Sequence, residues 1–285
     1  MNYLKPIRKP NFFILGAAKS GTTTLHSCLS QHPEIFMSEV KEPSFFCDNF
    51  QVIDNELDYF SLFDGVENEK IIGESSHVYL TNPGTARVLH SLFPNAKFIL
   101  LLRDPVDRAQ SLFHHMRRHG HETINSFEKA LAVEEKRIQS PSFKKDQYLY
   151  NYLYVESGKY GRQIDRYLSF FPTEQFLFLT SSEFFQNPEQ TLQKVYKFLE
   201  VANIVYQPIQ KLNEGGNVKS PHLARILKNP LFSQGFFKKT GLSKVLHYLN
   251  KGQKNQLKEG TRDMIQSQLK EDQELLFELT GIRFF

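Results

Sequence analysis

The chain has 285 residues, 40% hydrophobic and 23% charged, a balance ordinary for a soluble globular protein and sufficient for a full core. Its formal net charge of +4 is too small for a broad nucleic-acid surface, so no nucleic acid is expected as a partner. Two cysteines, Cys28 and Cys47, give no disulfide framework, and no apolar run reaches the roughly 18 residues that cross a bilayer.

The opening MNYLKPIRKPN carries basic residues and two prolines with no apolar stretch behind them, so residues 1–10 read as an extended tail and not as a secretory signal. With the unpaired cysteines, this points to a cytoplasmic location. FFIL, residues 12–15, is a short continuous apolar run of the kind a parallel strand buried on both faces shows. Gly16 ends it, and TTTLHSCLSQHP follows as a helix closing near Pro33. The pattern recurs further on: residues 97–102 read as a second buried strand, RDP as a turn, and 106–119 as a helix with Pro105 near its first turn and Gly120 at its end. Residues 70–74 and 175–180 are further strand candidates, and helices are expected at 126–138, 159–171, 188–199 and 261–280. Residues 211–222, KLNEGGNVKSPH, form the most loop-like long stretch, with two glycines and a proline.

Strands alternating with helices predict an α/β fold: a P-loop-like three-layer domain, with a central parallel sheet flanked by helices, spanning the whole chain. In such sheets ligands bind beyond the carboxyl ends of the strands, and the loops after Leu15 and Leu102 leave that same edge.

The first loop, GAAKSGTTTL, has the glycine spacing of a nucleotide-triphosphate loop, in which lysine directly follows the second glycine. Here Thr22 holds that place and Lys19 lies inside the loop, with no evident magnesium partner. An anion site remains: glycine-turn and helix-start N–H groups, the hydroxyls of Thr22, Thr23 and Thr24, and a mobile cation at Lys19. In RDPVDRAQS, the Arg103 guanidinium and the Ser111 hydroxyl would suit a second phosphate, against the plainer reading of a turn-ordering ion pair between Arg103 and Asp104 or Asp107. Arg108 reads as part of a solvated turn. His115 and His119, four apart on one helix face, are a weak metal pair crowded by Arg117 and Arg118, and no metal is called for. The tyrosines of residues 140–161 read as half-buried packing or as an acceptor-cleft wall.

Together these stretches resemble the sulfotransferases that use 3′-phosphoadenosine 5′-phosphosulfate, in particular the carbohydrate-type branch related to the heparan sulfate enzymes and its soluble bacterial homologues. GAAKSGTTTL is similar to their 5′-phosphosulfate loop and RDPVDRAQS to their 3′-phosphate motif; HPEIFMSEVKEPSFF, GESSHVYL, SGKYGRQIDRYLSFFP and TLQKVYKFLEV match as well. The resemblance implies that Lys19, Ser20, Gly21, Thr22, Thr23 and Thr24 contact the phosphosulfate, and that Arg103 and Ser111 hold the 3′-phosphate. It implies also that Lys219, in a loop covering the nucleotide, adds a late basic contact. A single sulfated phosphate needs no magnesium clamp, which answers the misplaced lysine. The acceptor would be a hydroxyl or amine of a carbohydrate or small molecule, attacking in line, with Lys19 steadying the leaving phosphate. Glu42, in VKEPSFF, takes the place of the general base. Ser44 stands where many relatives have histidine and Ser75 where the heparan enzymes have lysine, so His77 is a second or assisting base. A nucleoside or small-molecule kinase with an altered loop, and a non-catalytic nucleotide-binding regulator, are the alternatives. Acceptor identity and oligomeric state are not legible.

Overall fold

The computed structural model describes residues 8–205, 217–228, 246, 248–252 and 257–285. The described chain clusters into two compact units, the first of residues 8–104, 160–205 and 272–284, the second chiefly of 105–159 and 217–271.

The first unit is built on a five-stranded sheet in the order β2-β3-β1-β4-β5. Its strands are β1 (Phe12–Gly16), β2 (Ile35–Met37), β3 (Ile71–Ser75), β4 (Lys97–Leu102) and β5 (Phe176–Thr180). All pairings are parallel, with Phe13 opposite Glu74 on one side and Phe98 on the other. β1 is buried along its whole length, as its unbroken apolar run requires. Alternate side chains serve opposite faces. Phe12 and Ile14 pack with Leu25, Leu29, Phe184, Leu192 and Val195. These come from α1 (Thr22–Leu29), α9 (Ser181–Gln186) and α10 (Pro188–Leu199). Phe13 turns the other way, its ring 5.4 Å from Phe93 and 6.0 Å from Phe98, which in turn lies 5.8 Å from Tyr167 of α8 (Tyr160–Leu168). The same unit holds α2 (Glu56–Ser61), α3 (Val78–Thr81) and α4 (Thr85–Leu92).

The four expected strands are present within one residue and α10 matches its expected span in full, while α1 ends at Leu29, short of Pro33, and α8 ends at Leu168, three residues before its expected close. Three differences have physical causes. The helix expected over 126–138 is two, α6 (Phe127–Ala132) and α7 (Glu134–Gln139), broken at Val133. Glu134 is drawn inward, its carboxylate accepting the Val155 N–H at 3.0 Å and the Glu156 N–H at 2.8 Å, which turns the second helix away from the first. Of the expected loop 211–222, residues 211–216 lie outside the described residues, while the rest is ordered as β6 (Asn217–Val218) and the start of α11 (Pro221–Lys228). Ser220 accepts the Leu223 N–H at 3.2 Å and Pro221 opens the helix, a start signal that the neighbouring glycines obscured. Arg108 is fully buried, not solvated, and gives an Nη2–H to the Tyr154 carbonyl at 2.5 Å. It belongs to α5 (Pro105–Arg118), in the second unit, where β6 pairs antiparallel with β7 (Lys251–Gly252). The last helix, α12, is Glu259–Thr280.

Candidate functional site

The parallel register of β1, β3 and β4 brings three loops to one edge of the sheet. The first is the glycine loop. Gly16 has φ 140° and presses so closely on the turn after β3 that a β-carbon there would lie 3.2 Å from the His77 carbonyl oxygen. The Ala17 N–H donates to Leu101 O at 2.8 Å, tying the loop to β4. Lys19 and Gly21 both have positive φ, 66° and 104°. No side chain caps α1; the Thr24 N–H closes back on Gly21 O at 3.0 Å, and a helix start without a side-chain cap is suited to holding an anion. Thr22 is buried, Thr23 and Thr24 half-buried. Ser20 is buried with its Oγ lacking a hydrogen-bond partner among the described residues, while its carbonyl accepts the Ser181 hydroxyl. An orphaned hydroxyl, uncapped N–H groups and a lysine in one turn fit a phosphate-like ligand.

The second loop follows β4. Arg103 is half-buried and reaches back to the glycine loop, its Nη1–H donating to Lys19 O at 3.3 Å, while its own carbonyl accepts the Tyr160 hydroxyl at 3.0 Å. Asp107, one of the two partners that the plainer turn-ordering reading offered Arg103, pairs with Arg262 at 2.5 Å. Arg103 is thereby placed beside the anion loop by two backbone contacts.

The third loop carries Glu42. It has φ 63°, and its N–H donates to Ser75 O at 2.9 Å, at the end of β3. The loop continues by docking backbone on side chain: Ser44 N–H gives to Ser76 Oγ at 3.0 Å and Phe46 N–H to the Tyr79 hydroxyl at 3.3 Å. One carboxylate oxygen of Glu42 pairs with Lys41. The other lies 2.6 Å from His77 Nδ1 and accepts the His77 backbone N–H at 2.7 Å. Burial alone would push the Glu42 carboxyl up, but the charges and hydrogen bonds of His77 and Lys41 outweigh it and hold the group well below the usual carboxylate range. Beside this pair, His26 of α1 is lowered to about 4, first by burial and then by the Lys41 charge, so it is uncharged near neutrality.

Lys19 to Thr24, Arg103, Glu42 and His77 thus share the first unit, and close approaches join Arg103 to Lys19, Gly16 to His77 and His77 to Glu42. Ser111, half-buried in the second turn of α5, and Lys219, exposed after β6, belong to the second unit. The Lys219 N–H donates to Asn250 O at 2.9 Å. His115 and His119 sit with ring centroids 4.2 Å apart, and among the described residues no group of three or more His, Cys, Asp or Glu is arranged to hold a metal ion. Tyr152, Tyr154 and Tyr160 are buried, the packing reading of that stretch. Ser181 and Phe185, which close the underside of the glycine loop, were not legible in sequence: an exposed-looking SSEFFQ helix gives no sign of where it docks.

Comparison with known proteins agrees with this geometry. A family model described as the sulfotransferase domain matches residues 9–271. The chain is similar to the bifunctional heparan sulfate N-deacetylase/N-sulfotransferase 2 of Homo sapiens, 30% identical over 202 residues, which is 68% of this chain and 22% of that protein. It is also 42% identical over 106 residues to the membrane-associated sulfotransferase kil1 of Dictyostelium discoideum, covering 37% of this chain and 22% of that protein. The chain therefore spans about a fifth of the length of these curated relatives. Among solved structures, a sulfotransferase from Alicyclobacillus acidocaldarius superposes with a TM-score of 0.74 at 30% identity, covering 98% of both chains.

Proposed function

The chain belongs to the sulfotransferase family, and on that premise we propose that it moves a sulfuryl group from 3′-phosphoadenosine 5′-phosphosulfate to a hydroxyl or amine of a carbohydrate or small molecule. The glycine loop from Lys19 to Thr24 receives the phosphosulfate, and Arg103, held against Lys19, takes the 3′-phosphate. The acceptor oxygen or nitrogen attacks sulfur in line. The bond from sulfur to the phosphate oxygen breaks, its electron pair leaves with the 5′-phosphate, and the acceptor proton passes to a base. Lys19 stabilises the negative charge that grows on the departing phosphate.

The observation that carries the base assignment is the short contact between Glu42 and His77 Nδ1. A carboxylate whose basicity is suppressed by the Lys41 charge and by hydrogen bonds from Lys41 and His77 is a poor proton acceptor by itself. Bonded to Nδ1–H, it instead fixes the imidazole tautomer in which Nε2 is the basic nitrogen. The pair then works as a unit, His77 carrying the proton and Glu42 orienting the ring and stabilising the imidazolium. Ser44, where relatives carry histidine, is accommodated on this reading because His77 brings an imidazole to Glu42 from the neighbouring strand end.

The test is transfer of 35S from labelled donor to a panel of amino- and hydroxyl-bearing saccharides. Glu42→Gln and His77→Asn should each lower the rate about 10²- to 10⁴-fold with affinity for 3′-phosphoadenosine 5′-phosphate retained. Full transfer by both variants would remove the pair from the mechanism.

A further inference from the structure

Directly below this pair lies an acid that the reaction does not use. Glu74, opposite Phe13 in the register of β3, is wholly buried. Its oxygens look onto the hydroxyls of Tyr79, Tyr59 and Ser76 without closing a well-aligned hydrogen bond to any of them, and Glu42, of the same sign, acts on it from the loop above. Three elements converge here: Tyr59 comes from α2, Tyr79 from α3, and Tyr167 from α8 also feels the Glu74 charge.

Each of the three hydroxyl-bearing neighbours is also a support of the 42–46 loop. Ser76 Oγ accepts the Ser44 N–H and the Tyr79 hydroxyl accepts the Phe46 N–H. The Tyr59 ring stacks on Phe45, centroids 4.7 Å apart and planes at 16°, and meets Phe46 edge-on at 4.9 Å. A hydroxyl that accepts from a loop amide has its own proton to give, and Glu74 is the acceptor facing it.

We propose that Glu74 is a positioning residue: as a neutral acid it holds the 42–46 loop, and with it the Glu42–His77 pair, on the end of β3. The inference rests on the proposed role of that pair. A neutral carboxyl can accept from one hydroxyl and donate to another inside an apolar shell. An ionised one can only accept, loses the O–H it gave, and faces the like-charged Glu42 while buried, so the hydroxyls beneath the loop must rearrange to serve it. Burial, the largest influence, raises Glu74 to about 8; the hydroxyls of Tyr79, Tyr59 and Ser76 oppose that rise and Glu42 adds to it. Glu74 would thus ionise on the alkaline side of neutrality, and the base pair above it would be disturbed in the same range.

The experiment is histidine-selective NMR of the full chain against pH, the His77 signal being assigned by its loss in His77→Asn. In the parent protein the His77 ring signal should show a step near pH 8, beyond its own protonation. In Glu74→Gln, which keeps shape and neutrality, that step should vanish. If the glutamine variant does not fold, Tyr79→Phe removes one hydroxyl link and should shrink the step. An undiminished step in either variant, or no step in the parent, overturns the proposal. Glu42→Gln in the transfer assay answers separately whether the pair is the base, so the two claims can fail independently.

Discussion

At the scale of single residues, the donor loop depends on backbone shapes that few side chains tolerate. Gly21 has φ 104°, and a β-carbon there would lie 2.8 Å from two carbons of the Phe185 ring. Gly21→Ala should therefore cost about 1–3 kcal/mol of stability, from the strained φ and the displaced ring together. Adding Phe185→Ala should restore only the part due to the ring, a split that denaturant unfolding of the single and double variants would measure; no loss in Gly21→Ala would refute the geometry. Lys19 takes a similarly left-handed φ of 66° without being glycine, so the chain accepts local strain to set the lysine in the loop. The legibility of the site also divides residue by residue. Lys19, Thr22 and Arg103 could be read because glycines, an apolar run and a helix start mark their surroundings. The Glu42–His77 contact could not, because the two residues are 35 positions apart and the loop bearing Glu42 has no periodicity to fix its path. Both names were available as candidate bases; that they are one pair is a fact of the fold.

At the scale of elements, what was legible is what burial writes into sequence. β1 and β4 are buried on both faces and appear as continuous apolar runs, and α10 shows its proline start and apolar spacing. β2 has only three residues, Ile35–Met37, too few for any pattern, yet it forms the sheet edge beside β3. The short helices α2 and α3 escaped for the same reason, although each carries a tyrosine that meets Glu74. A four- or six-residue helix is stabilised by what it packs against more than by its own propensity. Asn55 does cap α2, accepting the Asp58 N–H at 2.8 Å, but an Asn before two acids is equally a turn signal when read alone. The break at Val133 was invisible because its cause, the amides of Val155 and Glu156, lies about twenty residues downstream. Elements whose burial or caps leave a pattern in their own residues were legible, and elements shaped by contacts that leave none were not.

At the scale of the whole molecule, buried ionisable groups make stability depend on pH in opposite senses. Glu74 is raised from 4.5 to about 8 and Glu134 from 4.5 to about 7, in both cases chiefly by burial. Between those limits the folded chain holds more protons than the unfolded chain, so stability falls as pH rises. His26, lowered from 6.5 to about 4, acts the other way: stability falls as pH drops through that window. Above about pH 6.5 the histidine contribution is complete and the carboxyls dominate. The melting temperature should therefore decline between about pH 6.5 and 8.5, and Glu74→Gln should flatten the decline; a flat or rising parent curve would contradict these assignments. The central claim is that the glycine loop and Arg103 form a site for a sulfated nucleotide with two separate phosphates, and calorimetric titration tests it most directly. The account predicts micromolar binding of 3′-phosphoadenosine 5′-phosphate without magnesium, lost in Lys19→Ala and in Arg103→Ala. Tight magnesium-dependent binding of ATP, with no response to the bisphosphate, would contradict it.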